Sequence, residues 1–235
     1  MNYKNIKIEN RENYAVIEIA NNKNNSLDQE TLKEISFAAK SLNKIEKIKC
    51  IGITGNSKFF SPGADVKELK NLNSKQAKKN KLFSFVDQLA KINIPTISFV
   101  DGYALGGGFE LALSTDIIIA SVDAKFGLPE INLGLIPGIG GTQKLKKFTS
   151  NQNIKYLAMT GDIINSETAF KYGIVSLIVP KENFKTFINE FLSSTTLNST
   201  ASECSSLLME FGSTIPPIRI GLFFGASPLR ICDGV

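Results

Sequence analysis

Histidine is absent from this chain of 235 residues, and its absence excludes several kinds of catalytic site. Without histidine there is no Ser-His-Asp triad, no Cys-His pair and no histidine-bound zinc. The three cysteines, Cys50, Cys204 and Cys232, have neither the spacing of a metal site nor that of a disulfide framework. Acid–base chemistry near neutral pH must therefore come from carboxylates, lysines, tyrosines or cysteines.

Long apolar runs are absent as well. No stretch approaches the roughly 20 residues of a membrane-spanning helix, and the N-terminal sequence MNYKNIK has no apolar core of a signal peptide. We therefore expect a cytoplasmic protein without a membrane partner. The net charge of +5 fits a lysine-rich, solvated surface, although it would also attract a polyanion such as CoA or RNA.

The apolar segments that remain are short and alternate in type. Apolar, β-branched runs predict strands at 4–8, 14–20, 50–54, 96–100, 116–120 and 174–179. Helical spacing predicts helices at 28–43, 74–92, 108–114, 139–148, 151–159, 166–172 and 181–193. The first of these helices has Leu32, Ile35, Ala39 and Leu42 on one face. Ser26 followed by Gln29 is typical of a capping box before the first helix. This alternation predicts an α/β fold with largely parallel strands.

The composition changes near residue 198. No lysine follows Lys185 and no asparagine follows Asn198, whereas residues 199–235 are rich in Ser, Gly, Pro and Leu. Two consecutive prolines at 216–217 forbid a continuous helix there. We therefore divide the chain into a core of residues 1–198 and an atypical C-terminal segment of residues 199–235, which we expect to pack poorly.

Two glutamates stand in apolar segments that are rich in glycine. Glu110 follows the glycine triplet 106–108 and has apolar neighbours, and Glu130 lies in the Gly/Pro-rich stretch from Phe126 to Gln143. A glutamate is more often a solvated surface charge. Burial of both carboxylates, however, would raise their pKa values and suit them to acid–base work at neutral pH.

Two glycine-containing turns offer backbone N–H groups. The helix start after the triplet 106–108 would direct free N–H groups at an anion or a polarised oxygen. Gly63 and Ala64 could offer a second donor, and Lys58 and Lys67 flank that loop and suit phosphate binding. Taken singly, each segment is equally an ordinary tight turn or a solvated surface loop.

In order and spacing, these segments resemble the enoyl-CoA hydratase/isomerase (crotonase) superfamily, and within it short-chain enoyl-CoA hydratase and 3-hydroxybutyryl-CoA dehydratase. The matching motifs are Ser61 to Glu68, Gly102 to Ala112, Phe126 to Gln143 and Thr160 to Ala169, within a resemblance that covers residues 3 to 192. It implies an α/β spiral of repeated β-β-α turns, in which residues 1–198 form the catalytic core. It also implies trimers or pairs of trimers.

The resemblance also implies a set of site residues. Glu110 and Glu130 match the two catalytic glutamates, and the N–H groups of Ala64 and Gly107 match an oxyanion hole for a thioester carbonyl. The implied CoA-binding residues are Lys58, Ala64, Asp65, Val66 and Lys67. No metal or redox cofactor is implied, because coenzyme A is part of the acyl-CoA substrate.

We therefore expect an enoyl-CoA hydratase for short- or medium-chain substrates, or in reverse a 3-hydroxyacyl-CoA dehydratase. Isomerisation is the alternative reaction, but it needs only one base. An RNA-binding role is a different alternative, and it would use Lys67, Lys70, Lys75, Lys78, Lys79 and Lys81. Those lysines lack interleaved aromatic residues, so a solvated helix face is favoured over nucleic acid. A third alternative is an impaired family member, because residues 199–235 do not resemble the terminal helices that support the trimer.

Overall fold

Two β-sheets organise the part of the chain that the computed structural model describes, residues 3–64 and 82–196. The larger sheet contains β1 (Ile6–Asn10), β2 (Tyr14–Ile19), β3 (Cys50–Thr54), β5 (Thr96–Val100), β7 (Ile117–Ser121) and β10 (Leu177–Val179). The smaller contains β4 (Phe59–Ser61), β6 (Tyr103–Leu105), β8 (Lys125–Gly127) and β9 (Ile163–Asn165). The larger sheet has the strand order β1-β2-β3-β5-β7-β10, and the smaller has the order β4-β6-β8-β9.

Strand pairing is mostly parallel, as the sequence predicts. The exceptions in the described residues are β1 with β2 and β8 with β9, which are antiparallel. The successive pairs β3–β4, β5–β6 and β7–β8 each place one strand in the larger sheet and the next in the smaller sheet. A helical segment follows each pair before the chain returns to the larger sheet. This repeat confirms the α/β class and the β-β-α turns.

Helices connect the strand pairs and pack against both sheets. They are α1 (Gln29–Leu42), α2 (Leu82–Leu89), α3 (Gly107–Ala112), α4 (Gly141–Lys144), α5 (Asn151–Thr160), α6 (Ser166–Lys171) and α7 (Phe184–Thr196). Short 3₁₀ helices occur at Pro129–Leu133, Leu145–Lys147 and Lys181–Asn183. Over the described residues, none of the helices combines the length and the apolar character needed to cross a membrane.

Two local predictions are wrong. The N-cap of α1 is Asp28, whose carboxylate accepts a hydrogen bond from the Thr31 N–H at 2.7 Å. Ser26 instead accepts from the side chain of Asn22, so there is no capping box. The helix predicted over 139–148 begins only after Gly140, because that residue has φ of 89°, a left-handed conformation outside the α-helix.

Some predictions concern residues outside the described part of the chain. Of the helix predicted over 74–92, residues 82–92 are described; the helix there is α2, which ends at Leu89, so the predicted end at residue 92 is wrong. The boundary at residue 198 and the segment 199–235 are not described, and neither are Asp65, Val66 and Lys67 of the predicted CoA-binding set. The other lysines of the RNA-binding alternative, Lys70, Lys75, Lys78, Lys79 and Lys81, also lie outside it.

The apolar core lies between the sheets and the helices that cover them. Helix α1 buries the predicted face of Leu32, Ile35, Ala39 and Leu42. Strands β3, β5 and β7 have apolar side chains buried on both faces, which is typical of parallel strands covered on both sides. The rings of Phe109 and Phe126 pack 5.5 Å apart, and this contact fixes α3 against β8.

Candidate active site

Glu110 is a buried carboxylate held by two backbone N–H groups. It lies one turn inside α3 and is 1% exposed. Its Oε1 atom accepts hydrogen bonds from the N–H of Ile139 at 2.8 Å and from the N–H of Gly141 at 2.7 Å. These bonds compensate a buried charge and fix the side chain in one orientation.

The glycine at position 141 makes that arrangement possible. A β-carbon on Gly141 would lie 2.9 Å from Glu110 Cγ and 3.0 Å from Oε1, closer than side chains normally approach. Gly140 before it has a positive φ and turns the chain so that α4 begins at Gly141. The Gly/Pro-rich stretch that the sequence singles out is therefore a binding loop for the Glu110 carboxylate.

Glu130 is the second carboxylate of this site, and it comes from the segment that follows β8. It lies in the 3₁₀ helix Pro129–Leu133, directly after β8. A β-carbon on Gly106 would lie 3.1 Å from Glu130 Oε1, so the carboxylate sits against the glycine that precedes α3. Its Oε2 atom is buried and has no hydrogen-bond partner among the described residues. The site therefore contains one tightly bound carboxylate and one with an unused oxygen.

The environments of the two carboxylates alter their pKa values. Burial raises the pKa of Glu130 to about 7; its own backbone N–H opposes the rise and the Glu110 charge adds to it. Burial also raises the pKa of Glu110, while the N–H groups of Gly141 and Ile139 and the charge of Lys144 oppose that rise. The negative charge of Glu110 thus raises the pKa of Glu130, and the Glu110 carboxylate is the better stabilised of the two.

The two predicted oxyanion-hole residues are also brought together. A β-carbon on Gly63 would lie 3.0 Å from the Gly107 nitrogen, and one on Gly107 would lie 3.7 Å from the Ala64 nitrogen. Neither the Ala64 N–H nor the Gly107 N–H has an acceptor among the described residues. The Ala64 and Gly107 N–H groups therefore lie side by side at the start of α3. The Glu130 carboxylate is close to them, because it lies against Gly106.

The loop that carries Ala64 is pressed against α3 by backbone contacts. Gly63 has φ of 93°, donates its N–H to Ser61 Oγ at 3.1 Å and accepts from the Leu27 N–H at 2.8 Å. A β-carbon on Gly108 would lie 2.1 Å from the Ser61 carbonyl oxygen, so only glycine fits there. Gly63 and Gly108 therefore allow the loop and α3 to approach each other closely through their backbones.

Lys58 begins the turn into β4. Its Nζ lies over the ring of Phe59, 5.5 Å from the ring centroid, and that ring packs 5.9 Å from the ring of Tyr103. A role of Lys58 in binding CoA phosphates stays a prediction. Within the described segments, no group of three or more acidic or cysteine side chains is placed to hold a metal ion.

Sequence reasoning missed the residues that hold Glu110. The N–H groups of Ile139 and Gly141 and the side chain of Lys144 were not singled out. Lys144 donates to the Ile139 carbonyl at 2.9 Å. The only signal in the sequence was the glycine pair 140–141, which indicates a tight turn but not its ligand.

Comparison with known proteins gives the family. A profile of the family described as enoyl-CoA hydratase/isomerase matches residues 9–210. The chain is 39% identical over 189 residues to a crotonyl-CoA hydratase of Syntrophomonas wolfei, covering 77% of this chain and 72% of that protein. It is 37% identical over 194 residues to a short-chain-enoyl-CoA hydratase of Clostridium acetobutylicum, covering 79% and 73%.

Solved structures agree with the sequence comparison. An enoyl-CoA hydratase subunit I of Geobacillus kaustophilus superposes with a TM-score of 0.80 at 33% identity, covering 83% of this chain and 77% of that one. An enoyl-CoA hydratase of Bacillus anthracis superposes with a TM-score of 0.77 at 30% identity, covering 81% and 76%. This chain therefore belongs to the enoyl-CoA hydratase/isomerase family and has the crotonase fold.

Proposed function

We propose that this protein is an enoyl-CoA hydratase that adds water across the double bond of short-chain trans-2-enoyl-CoA thioesters, or in reverse dehydrates 3-hydroxyacyl-CoA. The observation that carries the proposal is the pairing of Glu110 and Glu130 beside the backbone donors of Ala64 and Gly107. The short acyl chain is supported by relatives named crotonyl-CoA hydratase and short-chain-enoyl-CoA hydratase.

The backbone donors serve the thioester carbonyl. Addition of water at C3 moves the double-bond electrons toward the carbonyl and builds negative charge on its oxygen. The N–H groups of Ala64 and Gly107 would donate to that oxygen and stabilise the enolate without any rearrangement. Loss of one such donor costs about 3 kcal/mol of transition-state stabilisation.

The two carboxylates divide the proton transfers. Glu110, whose charge is supported by two N–H groups and by Lys144, would accept a proton from the attacking water. Glu130, whose pKa is raised to about 7 by burial and by the Glu110 charge, would supply the proton to C2 as a carboxylic acid. The product is a 3-hydroxyacyl-CoA, and a proton must then pass from Glu110 to Glu130 before the next turnover.

The remaining expectations belong to this proposal. The backbone of the Ala64–Lys67 stretch would line the CoA site, with Lys58 and Lys67 near the CoA phosphates. No metal or redox cofactor takes part in the proposed steps, since each uses a carboxylate or a backbone N–H of this chain. Assembly into trimers or pairs of trimers and a cytoplasmic location remain predictions.

A single reaction tests the proposal. The purified protein is given crotonyl-CoA in water enriched in oxygen-18, and the product is analysed by mass spectrometry. Hydration predicts a product heavier by one water, with the heavy oxygen on C3. An isomerase would instead move the double bond without adding water, so its product would keep the mass of crotonyl-CoA and carry no oxygen-18. Recovery of unchanged crotonyl-CoA would contradict the proposal.

A further inference from the structure

Lys144 closes the loop that binds the Glu110 carboxylate. It is the last residue of α4 and is half-buried, and its Nζ donates to the carbonyl oxygen of Ile139 at 2.9 Å. The N–H of the same Ile139 donates to Glu110 Oε1 at 2.8 Å. Both backbone polar groups of Ile139 are thus engaged, one by the carboxylate and the other by the lysine.

The charges that face Lys144 come from three elements. Glu110 on α3 and Asp87 on α2 are negative, and Lys147 in the following 3₁₀ helix is positive. Burial lowers the pKa of Lys144 to about 8, and the two carboxylates oppose that shift while Lys147 adds to it. Of the two negative charges, that of Glu110 favours the ammonium form of Lys144 more strongly.

We propose that Lys144 is a positioning residue for the hydration reaction: it anchors the loop at Ile139 and stabilises the ionised form of Glu110. The inference rests on the proposed function only in its kinetic consequence. With the lysine in place, Glu110 is held in one orientation and as a carboxylate able to accept the water proton. Without it, the Ile139 carbonyl loses its donor and the Glu110 charge loses its nearby cation.

The test compares variants at position 144 with a matched neighbour. Lys144→Met keeps the length of the side chain but removes its charge and its donors, whereas Lys144→Arg keeps both. Lys144→Gln keeps a donor without the charge, and it also serves if the methionine variant does not fold. Lys146→Met removes an exposed lysine from the same segment and is the control.

The kinetic readout is the dependence of kcat and KM for crotonyl-CoA on pH. The charged groups that act with Glu110 are Lys144 on α4 and Glu130 in the 3₁₀ helix after β8. Removing the positive charge of Lys144 raises the pKa of Glu110, so less of it is ionised at a given acid pH. We expect Lys144→Met to lower kcat about tenfold with little change in KM, and to move the acid limb upward by about one pH unit. In Lys144→Arg the acid limb of the kcat–pH profile should lie at the pH of the parent protein, and Lys146→Met should not move it.

A second readout does not depend on turnover. The titration of the Glu110 carboxyl is followed by carbon-13 NMR, with its signal assigned by loss in Glu110→Gln. The expected result is a higher titration midpoint in Lys144→Met and Lys144→Gln than in the parent protein and in Lys144→Arg. Equal midpoints in all four proteins would overturn the role of Lys144. Absence of hydration by the parent protein would instead overturn the proposed function.

Discussion

Gly141 and Glu110 are packed so closely that a β-carbon on the glycine would fall 2.9 Å from Glu110 Cγ. The same glycine donates its N–H to Glu110 Oε1 at 2.7 Å. The buried carboxylate is therefore oriented by a residue that has no side chain. A side chain at position 141 would crowd Glu110 and keep this N–H from approaching the carboxylate so closely.

Replacing Gly141 with alanine should damage the site more than the fold. The added methyl group must push Glu110 away from its two N–H donors, and we expect kcat to fall at least about tenfold and stability to fall by about 1–3 kcal/mol. The measurements are crotonyl-CoA turnover and urea unfolding. Gly138→Ala is the matched control, because a β-carbon there meets no described atom within 4 Å. Equal turnover by the two variants would contradict the role given to Gly141.

Removing the Glu130 carboxylate should stabilise the protein at alkaline pH. Folding raises the pKa of this group from 4.5 to about 7, so the folded protein holds the proton more tightly. Its contribution to stability is full below the unfolded pKa and is lost as pH rises through the folded pKa. The free energy of unfolding of Glu130→Gln should therefore exceed that of the parent protein by up to about 3 kcal/mol above about pH 8. Near about pH 4 the two free energies should differ little.

Urea unfolding at the two pH values checks this difference. Glu182→Gln, at an exposed glutamate, serves as the control and should follow the parent protein at both. If Glu130→Gln were less stable than the parent protein at alkaline pH, Glu130 would not be a desolvated acid. The assignment of the C2 proton donor would then lose its support.

The backbone donors should leave a signature on the bound substrate. Two N–H groups aimed at the thioester oxygen weaken its carbonyl bond, so the carbonyl stretch of bound crotonyl-CoA should shift to lower frequency. Isotope-edited Raman spectroscopy of the carbon-13 thioester measures it, with free crotonyl-CoA as the reference. A frequency unchanged on binding would argue against an oxyanion hole at Ala64 and Gly107.

Hydration should be insensitive to chelators and independent of nicotinamide. The chain has no histidine, and the glycine triplet 106–108 is not the G-x-G-x-x-G fingerprint of a dinucleotide site. Turnover of crotonyl-CoA before and after dialysis against EDTA checks the first point. Loss of activity in EDTA that a divalent ion restores would count against it.

Much of the fold could be predicted because its longer strands and helices have recognisable apolar patterns. The buried runs of β3 and β5 were predicted with the observed bounds, and the apolar face of α1 is confirmed. The strands of the smaller sheet were missed. Each has only three residues, too few for alternation to be recognised, and they are set by pairing with strands distant in sequence.

The site was only partly predictable for a related reason. Glu110 and Glu130 stand out as isolated charges in apolar, glycine-rich segments, and the structure places Glu110 against Gly141 and Glu130 against Gly106. The Ile139 N–H and the Lys144 side chain carry no such signal. Their importance comes from a loop that folds back onto α3, about thirty residues away in sequence, and local patterns do not encode that contact.

The most direct test of the paired-carboxylate account is the rate of crotonyl-CoA hydration by Glu110→Gln and Glu130→Gln beside the parent protein. Each substitution preserves shape but removes one proton-transfer group, so we expect each to lower kcat by about a hundredfold or more while the fold is retained. Glu182→Gln should hydrate at the parent rate. Turnover near the parent rate by either folded active-site variant would contradict the two-carboxylate mechanism.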